Sequence, residues 1–550
     1  RVDGKPKVVN QIYLGSVERI LGMAAKENGG LSKIQVQEFG ALWLANMIER
    51  EVGLVEIIDS FIPKGDMETG PSVGEYFLYA AFNHMIDACS KRGMPEWYKT
   101  TAIQHIRPVD IDALDFGRFW KKWNRVDEEA IRLIAQRLLN RVSELEASSS
   151  DCFLFDTTNY YTYMASDTDS ELAMRGKNKE GRDWLRQIGL ALLVTRDTRL
   201  PIFYREYDGT RHDSKLFARI LDEVLTVMRA HCQEEVTVVF DKGMNAEENI
   251  STIDAMEKAH FITSYSTYLA EDLIHAPRER FALVDTPKNK KLAEQDRDDD
   301  RLVAWRTAGE YWGRERTVVI TYNPLTATKQ RFAFERRFLK LQAALYEIRT
   351  KVRTAAAGWR KQEKIIERYK ATCEGLHLPN DLYELRFTHE NGRLNMGFNK
   401  NYYQIGRHID RFGKNILIAD RSDWSTDEIV RASLDRSIVE QSFRQTKDDD
   451  LVAMLPIRHF TDSKIRCHIL SCIVALSYLR IIELRLHRIS LDISAATAMD
   501  SMRKLHSRLC WSADKKKPVR ILEEPTTDQA LILKAFGYEV VGGVLQKIST

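Results

Sequence analysis

Two apolar runs, Cys152-Phe153-Leu154-Phe155 and Val236-Thr237-Val238-Val239-Phe240, are each followed by a carboxylate, Asp156 and Asp241. Runs this short and apolar read as buried strands, and a side chain just past a buried strand stands at the edge of its sheet. Neighbouring strands that finish this way put hard oxygen ligands within bridging distance of one cation. Far downstream, Glu440 stands between Arg436 and Lys447. A carboxylate flanked by cations can ligate a metal while the cations hold phosphate oxygens, the division of labour that metal-dependent phosphoryl transfer requires.

Glu440 belongs to a run that opens with Ser425-Thr426-Asp427-Glu428, a capping-box pattern, and continues without Gly or Pro to Lys447. At about 100° per residue, Arg436, Glu440 and Lys447 share one helix face, and Val430, Leu434 and Ile438 form an apolar row on the other. The plain alternative is ordinary surface charge with i, i+4 pairing. Asp420 also ends an apolar run, Asn415 to Ala419, and competes with Glu440 as third acid; its other role is a turn residue ahead of Ser425. Lys242, next to Asp241, is a candidate phosphate contact or a solvated lysine.

The elements that must position these groups follow from periodicity. Strand patterns cover Cys152 to Thr158, Gln187 to Val194 and Leu200 to Tyr204, with Asp197-Thr198-Arg199 as a hairpin turn. His212-Asp213-Ser214 caps a helix that runs through Met228. Strand Val236 to Phe240 follows, then a helix near Ala246 to Met256 and a strand from His260 to Tyr265. This order predicts an α/β fold, a mixed β-sheet flanked by helices. Its two parts span residues 151–275 and 413–484, interrupted by an insertion over residues 276–412.

The insertion carries a charged run from Lys288 to Asp300 that reads as a mobile surface loop, and a strand pair around Arg316 to Tyr322. A long charged helical stretch, Gln330 to Thr372, and a strand from Leu382 to Thr388 complete it. Residues 1–150 open with a hairpin pattern at Lys7 to Leu14, then turn helical, and predict a mainly helical N-terminal DNA-binding domain. Its basic aromatic patch interleaves Arg118, Lys121, Lys122 and Arg125 with Phe119, Trp120 and Trp123. That patch is a candidate DNA contact, or a helix with a tryptophan core face and a solvated cationic face. Residues 485–550 are a candidate region for dimerisation or DNA contact, in which Lys515-Lys516-Lys517 reads as a phosphate contact or, as the plainer alternative, a solvated loop.

Composition sets the limits. At 550 residues the chain exceeds what one hydrophobic core supports, so several domains are expected. A net charge of +3, from 82 basic and 79 acidic residues, gives nucleic-acid binding little bulk support and leaves room for a local basic track. Seven scattered cysteines without a C-x-x-C pair fit neither a disulfide framework nor a zinc knuckle, and point to a reducing compartment. The first residues lack the apolar core of a signal peptide. The longest apolar stretch, Ile469 to Leu484, is broken by Arg480 and Glu483 and reads as a buried helix rather than a membrane span.

The ordered set of residues resembles a known family. Asp156 in Phe155-Asp156-Thr157-Thr158, Asp241 in Phe240-Asp241-Lys242-Gly243, and R-x3-E-x6-K at Arg436, Glu440 and Lys447 are similar to prokaryotic insertion-sequence transposases of the DDE type. The branch is the one with a Y-x2-R-x3-E-x6-K signature, whose tyrosine position is Ser433 here. Tyr204 to Asp213 and Pro456-Ile457-Arg458-His459-Phe460 carry the same likeness, which extends from about residue 150 to about residue 480.

The resemblance implies a ribonuclease H-like core in which Asp156, Asp241 and Glu440 hold two Mg²⁺ ions, with Mn²⁺ as a substitute. It implies cleavage of transposon ends and their joining to target DNA. The implied partners are double-stranded DNA, as terminal inverted repeats and target, and a second copy of the chain in a synaptic complex, with no membrane. The implied setting is the bacterial cytoplasm, at the nucleoid. Trp312, in the β-containing insertion, would stack on a displaced base, against the alternative of a packing tryptophan. The rival functions are a catalytically inactive DNA-binding protein descended from a transposase, and a ribonuclease H-like nuclease that hydrolyses without joining.

Overall fold

The computed structural model describes residues 31–550 except 149, 166–167, 177–183, 211–212, 355, 391–392, 513–517 and 549–550. The patterns at Lys7 to Leu14, His212 and Lys515-Lys516-Lys517 lie outside the described residues. The chain forms two compact units: a sheet unit of Ser150–Asp156 and His212–Ile438, and a helical unit of Arg1–Ser149, Thr157–Arg211 and Val439–Thr550.

In the sheet unit, the strand that begins at Cys152 pairs in parallel with Val236–Phe240, Cys152 opposite Thr237. That strand pairs in parallel with Ala259–Tyr265, Val236 opposite Ala259. Every residue of Val236–Phe240 is buried, so it reads as an unbroken apolar run rather than an alternating one. Helix Asp213–His231 makes the crossover, and its Phe217 ring lies 4.8 Å from Phe155 and 5.0 Å from Phe240. Lys414–Ala419, Arg314–Tyr322 and Val303–Tyr311 then extend the sheet antiparallel, giving the mixed topology expected.

Two segments differ from expectation. The strand pair around Arg316 to Tyr322 is hydrogen-bonded into the main sheet through Lys414–Ala419 rather than into a separate module. The lobe that follows builds its own core from Phe334, Leu341, Leu345 and Ile365, which helices Pro324–Arg353 and Gln362–Gly375 contribute, together with Tyr383 and Met396 of a hairpin. The charged run expected as a mobile loop holds a helix, Pro287–Glu294, capped by Thr286. Asn289 on that helix is buried, donates to the Val284 and Leu302 carbonyls at 2.8 Å and accepts from Leu302 N–H at 2.8 Å. One satisfied buried amide ties down a segment whose charges alone suggest disorder.

The helical unit is organised around helix Asp462–Arg488. This helix is long and apolar enough to cross a membrane by length and composition, but 94% of its apolar window is buried within the protein. Its two charges expected to interrupt the run pair with each other, Arg480 Nη1 to Glu483 Oε2 at 2.5 Å. Arg485 forks onto Glu51 through two 2.8 Å contacts and reaches Glu146 at 2.9 Å. Tyr478 donates to the buried Glu49 carboxylate at 2.5 Å.

The N-terminal helices therefore share one core with this late helix. Strand Leu31–Glu38 also pairs antiparallel with His506–Ser512, which pairs with Val519–Leu522, so part of residues 485–550 completes a sheet begun near the N-terminus. The hairpin Arg186–Thr195 and Pro201–Asp208 forms as expected, with Arg199 in the left-handed region at φ 60°.

Glu49 also accepts from Leu54 and Val55 N–H at 3.2 Å, and burial raises its pKa despite the Tyr478 bond. Tyr478→Phe removes one donor from a buried carboxylate, which costs about 1–3 kcal/mol. Calorimetry should show the thermal transition of this variant moving to lower temperature; an unchanged transition would mean that the Tyr478 hydroxyl contributes nothing to the core.

Candidate functional site

Asp156 and Asp241 meet through strand register. Leu154 stands opposite Val239 in the parallel pair, and two further steps along both chains bring Asp156 opposite Asp241. Asp241 has left the strand but keeps extended backbone, φ −79° and ψ 160°, so the alternation of faces continues and both carboxylates leave the same face. Adjacent strands lie about 4.8 Å apart, close enough for the two carboxylates to share a divalent cation whose oxygen ligands sit at about 2.1 Å. Asp156 is not the last residue of its strand, which continues to Thr162; it is a candidate because its neighbour stops at Phe240. It is 9% exposed.

Asp241 is held from three directions. Its Oδ1 accepts from Lys242 N–H at 2.8 Å and from the Ser264 hydroxyl at 2.9 Å, and its Oδ2 lies 3.3 Å from Arg436 Nη1. Burial pushes the carboxyl up, but the Arg436 guanidinium, Ser264 and the Lys242 amide together outweigh it and hold the pKa below the usual value. Ser264 is a site residue that sequence reasoning missed. Its signal was weak: one serine near the end of the next parallel strand, with no motif around it.

Asp420 is placed elsewhere. It accepts from Phe261 N–H at 2.8 Å and faces His260 at 3.2 Å and Arg316 at 3.8 Å. Strand Lys414–Ala419 runs antiparallel to Ala259–Tyr265, so its C-terminal end meets the start of that strand, whereas Asp241 meets Ser264 near its finish. The two acids thus stand at opposite edges of the sheet, and Asp420 fastens strand ends there.

The helix expected from Ser425 to Lys447 is two helices, Thr426–Asp435 and Ser437–Thr446, with Arg436 in α conformation at the joint. The capping box at Ser425 and Glu428 forms. The apolar row does not hold: Leu434 is 50% exposed, and the first helix buries Ile429, Val430 and Ala432 instead. Arg436 belongs to the sheet unit, and Glu440 and Lys447 to the helical unit. Glu440 is exposed in the first turn of its helix. Lys447 Nζ lies 5.3 Å from the Tyr160 ring, whose hydroxyl is 2.5 Å from Thr446 Oγ1.

The other candidates divide. Trp312 turns the hairpin Val303–Tyr311 to Arg314–Tyr322 with φ 51°, and its ring is 5.9 Å from both Phe261 and Tyr265, which makes it a packing residue. Lys242 is exposed. In the basic aromatic patch, Phe119 and Trp123 are buried, with Trp123 stacked on Phe77 at 5.2 Å. Lys122 pairs with Glu68 and donates to the Pro71 carbonyl at 2.7 Å; Arg125 reaches Glu68 and the Pro63 carbonyl at 2.8 Å. The Lys122 ammonium, with help from the Gly65 amide and Arg125, holds the Glu68 pKa down to about 2. Those two cations lock a loop, and Lys121 stays exposed.

Comparison with known proteins gives a family. The model described as "Transposase DDE domain" matches residues 151–478. A solved structure, the cryo-EM structure of piggyBac transposase synaptic complex with hairpin DNA, is similar at 8% identity and a TM-score of 0.39 over 86% of this chain and 82% of that one. No curated protein matches the chain.

Because Asp241 titrates below its ordinary range, its pairing stabilises the fold above that range, and the contribution fades as pH falls through the lowered value. Arg436→Met leaves burial to act with less opposition, so the Asp241 carboxyl should protonate at higher pH. Carboxyl-carbon NMR titration reads this directly, and a pKa that stays put would show that the guanidinium does not control the carboxylate.

Proposed function

The chain belongs to the transposase DDE domain family, and we propose that it is an insertion-sequence transposase in which Asp156, Asp241 and Glu440 act as one divalent-metal site that cuts transposon ends and joins them to target DNA. The observation that supports this reading is the parallel register of Leu154 with Val239, two residues before Asp156 and Asp241 on adjacent strands. Glu440 enters the reading by its place in the R-x3-E-x6-K pattern that opens at Arg436, whose guanidinium faces Asp241.

The donor set suits a hard cation. Carboxylate oxygens on neighbouring strands are the ligands Mg²⁺ takes, with Mn²⁺ as a substitute, and two adjacent carboxylates need positive charge to be stable together. The chemistry supplied by two bound ions is stabilisation of the charge that builds on the attacking and leaving oxygens of an in-line displacement at phosphorus. Arg436 keeps Asp241 ionised and fixes its direction, and Ser264 orients the same carboxylate. Lys242, exposed beside Asp241, and Lys447 are suited to phosphate oxygens of the DNA backbone. Lys121 is a further exposed cation for that backbone.

The partners in this reading are double-stranded transposon ends, target DNA and a second copy of the chain. Seven cysteines that form no disulfide among the described residues suit the reducing bacterial cytoplasm, where the nucleoid supplies the target.

Strand transfer with Mg²⁺ and cognate ends tests the whole reading. Asp156→Asn, Asp241→Asn and Glu440→Gln should each lower cleavage and joining by at least about 10²–10³-fold, the loss typical when a group that stabilises transition-state charge is removed. All three should keep DNA binding, and Asp420→Asn should keep cleavage. Cleavage without joined product would favour the hydrolytic nuclease, and wild-type protein that binds ends without cutting them would favour the inactive DNA-binding descendant.

A further inference from the structure

The helical unit holds a second cluster of chemistry-bearing side chains that the DNA-cutting reading does not use. His84 lies on helix Val73–Ile86, and His468 and Cys472 lie one turn apart on helix Asp462–Arg488. One nitrogen from each histidine and the Cys472 sulfur all fall within 4.8 Å of one another. Cys472 Sγ is 3.9 Å from His468 Nε2, and the His84 and His468 rings are 5.1 Å apart. His459, from the Pro456-Ile457-Arg458-His459-Phe460 segment, brings a third ring 4.7 Å from His468.

Burial makes this cluster costly unless something ligates it. His84 and His468 are 4% and 5% exposed and Cys472 is 0% exposed. Among the described residues Nδ1 of His459 lacks a hydrogen-bond partner, and His84 meets no side-chain partner, only the backbone at Val452. A buried unsatisfied nitrogen costs about 1–3 kcal/mol, and native proteins keep such groups where a ligand meets them. A cavity of about 890 Å³, lined by His84, His459, His468 and Lys91, gives a small ion a way in.

We propose that His84, His468 and Cys472, with His459 beside them, bind one thiophilic divalent cation of the zinc class, separate from the three acids and structural in role. Two imidazoles and a thiolate with a third imidazole adjacent form the mixed nitrogen and sulfur set that tetrahedral zinc takes. On binding, the Cys472 S–H bond breaks, a sulfur–metal bond forms and the proton leaves to solvent. The resulting thiolate also gives buried Lys91 a negative neighbour. The bound ion would cross-link helix Val73–Ile86 to helix Asp462–Arg488.

The test uses the full chain, loaded with zinc sulfate, dialysed, and assayed for metal by mass spectrometry. Wild type and the Asp156→Asn, Asp241→Asn double variant should each retain about one equivalent, and His84→Asn and Cys472→Ser should lose it. Cobalt-loaded wild type should show a sulfur-to-cobalt charge-transfer band, a readout that survives if either cluster variant fails to fold. Wild type that retains no zinc, a double-acid variant that loses all of it, cluster variants that keep it, or cobalt-loaded wild type without the band would each overturn the site.

Discussion

Two like charges on neighbouring strands are the constraint on which the rest of the sheet unit depends. Unit charges about 5 Å apart repel by roughly 3 kcal/mol at an effective dielectric near 20, and nothing in a β-ladder compensates for that. The compensation is brought from elsewhere: a guanidinium from the helix joint at Arg436, a hydroxyl from the next parallel strand at Ser264 and the backbone amide of Lys242. Behind the carboxylates, Phe155, Phe217 and Phe240 pack with ring centroids 4.8 and 5.0 Å apart, which keeps the two strands from sliding and separating the acids.

The helical unit answers a different demand. Helix Asp462–Arg488 is long and apolar, and the earlier helices wrap it while its arginines find partners at Glu51, Glu146 and Glu483 and its Tyr478 donates to Glu49. Breaking one partner of a buried pair is more costly than the pair is worth, so these contacts select one packing of helices whose sequence neighbours are hundreds of residues away. The same rule of satisfaction orders the Lys288 to Asp300 run, where one buried amide on Asn289 outweighs a surface of mobile-looking charge.

Much of the site is legible in the order of residues. Buried parallel strands leave continuous apolar runs, and short-range rules govern caps and hairpin turns, so Val236–Phe240, the Ser425 capping box and the Arg199 turn are readable from local residues. Less legible are features that depend on what packs on what. The basic aromatic patch reads the same whether its cations meet DNA or Glu68, because the partner is some fifty residues distant and unmarked. The apolar row ending at Ile438 fails within one helix, which buries Ile429, Val430 and Ala432 and leaves Leu434 50% exposed, because what packs against a helix chooses the stripe that is covered.

Residue order alone determined the α/β class and the family, and it offered Asp156, Asp241 and Glu440 as the proposed acids, because those rest on local periodicity and on chemistry that needs particular side chains. Tertiary structure alone decided that Leu154 pairs with Val239 two residues before the acids, that Asp420 sits at the far end of the sheet, and that His84 meets His468 and Cys472. The reason is that strand register and helix packing are set by burial summed over many distant residues, and no spacing along the chain encodes which side chains that sum brings together.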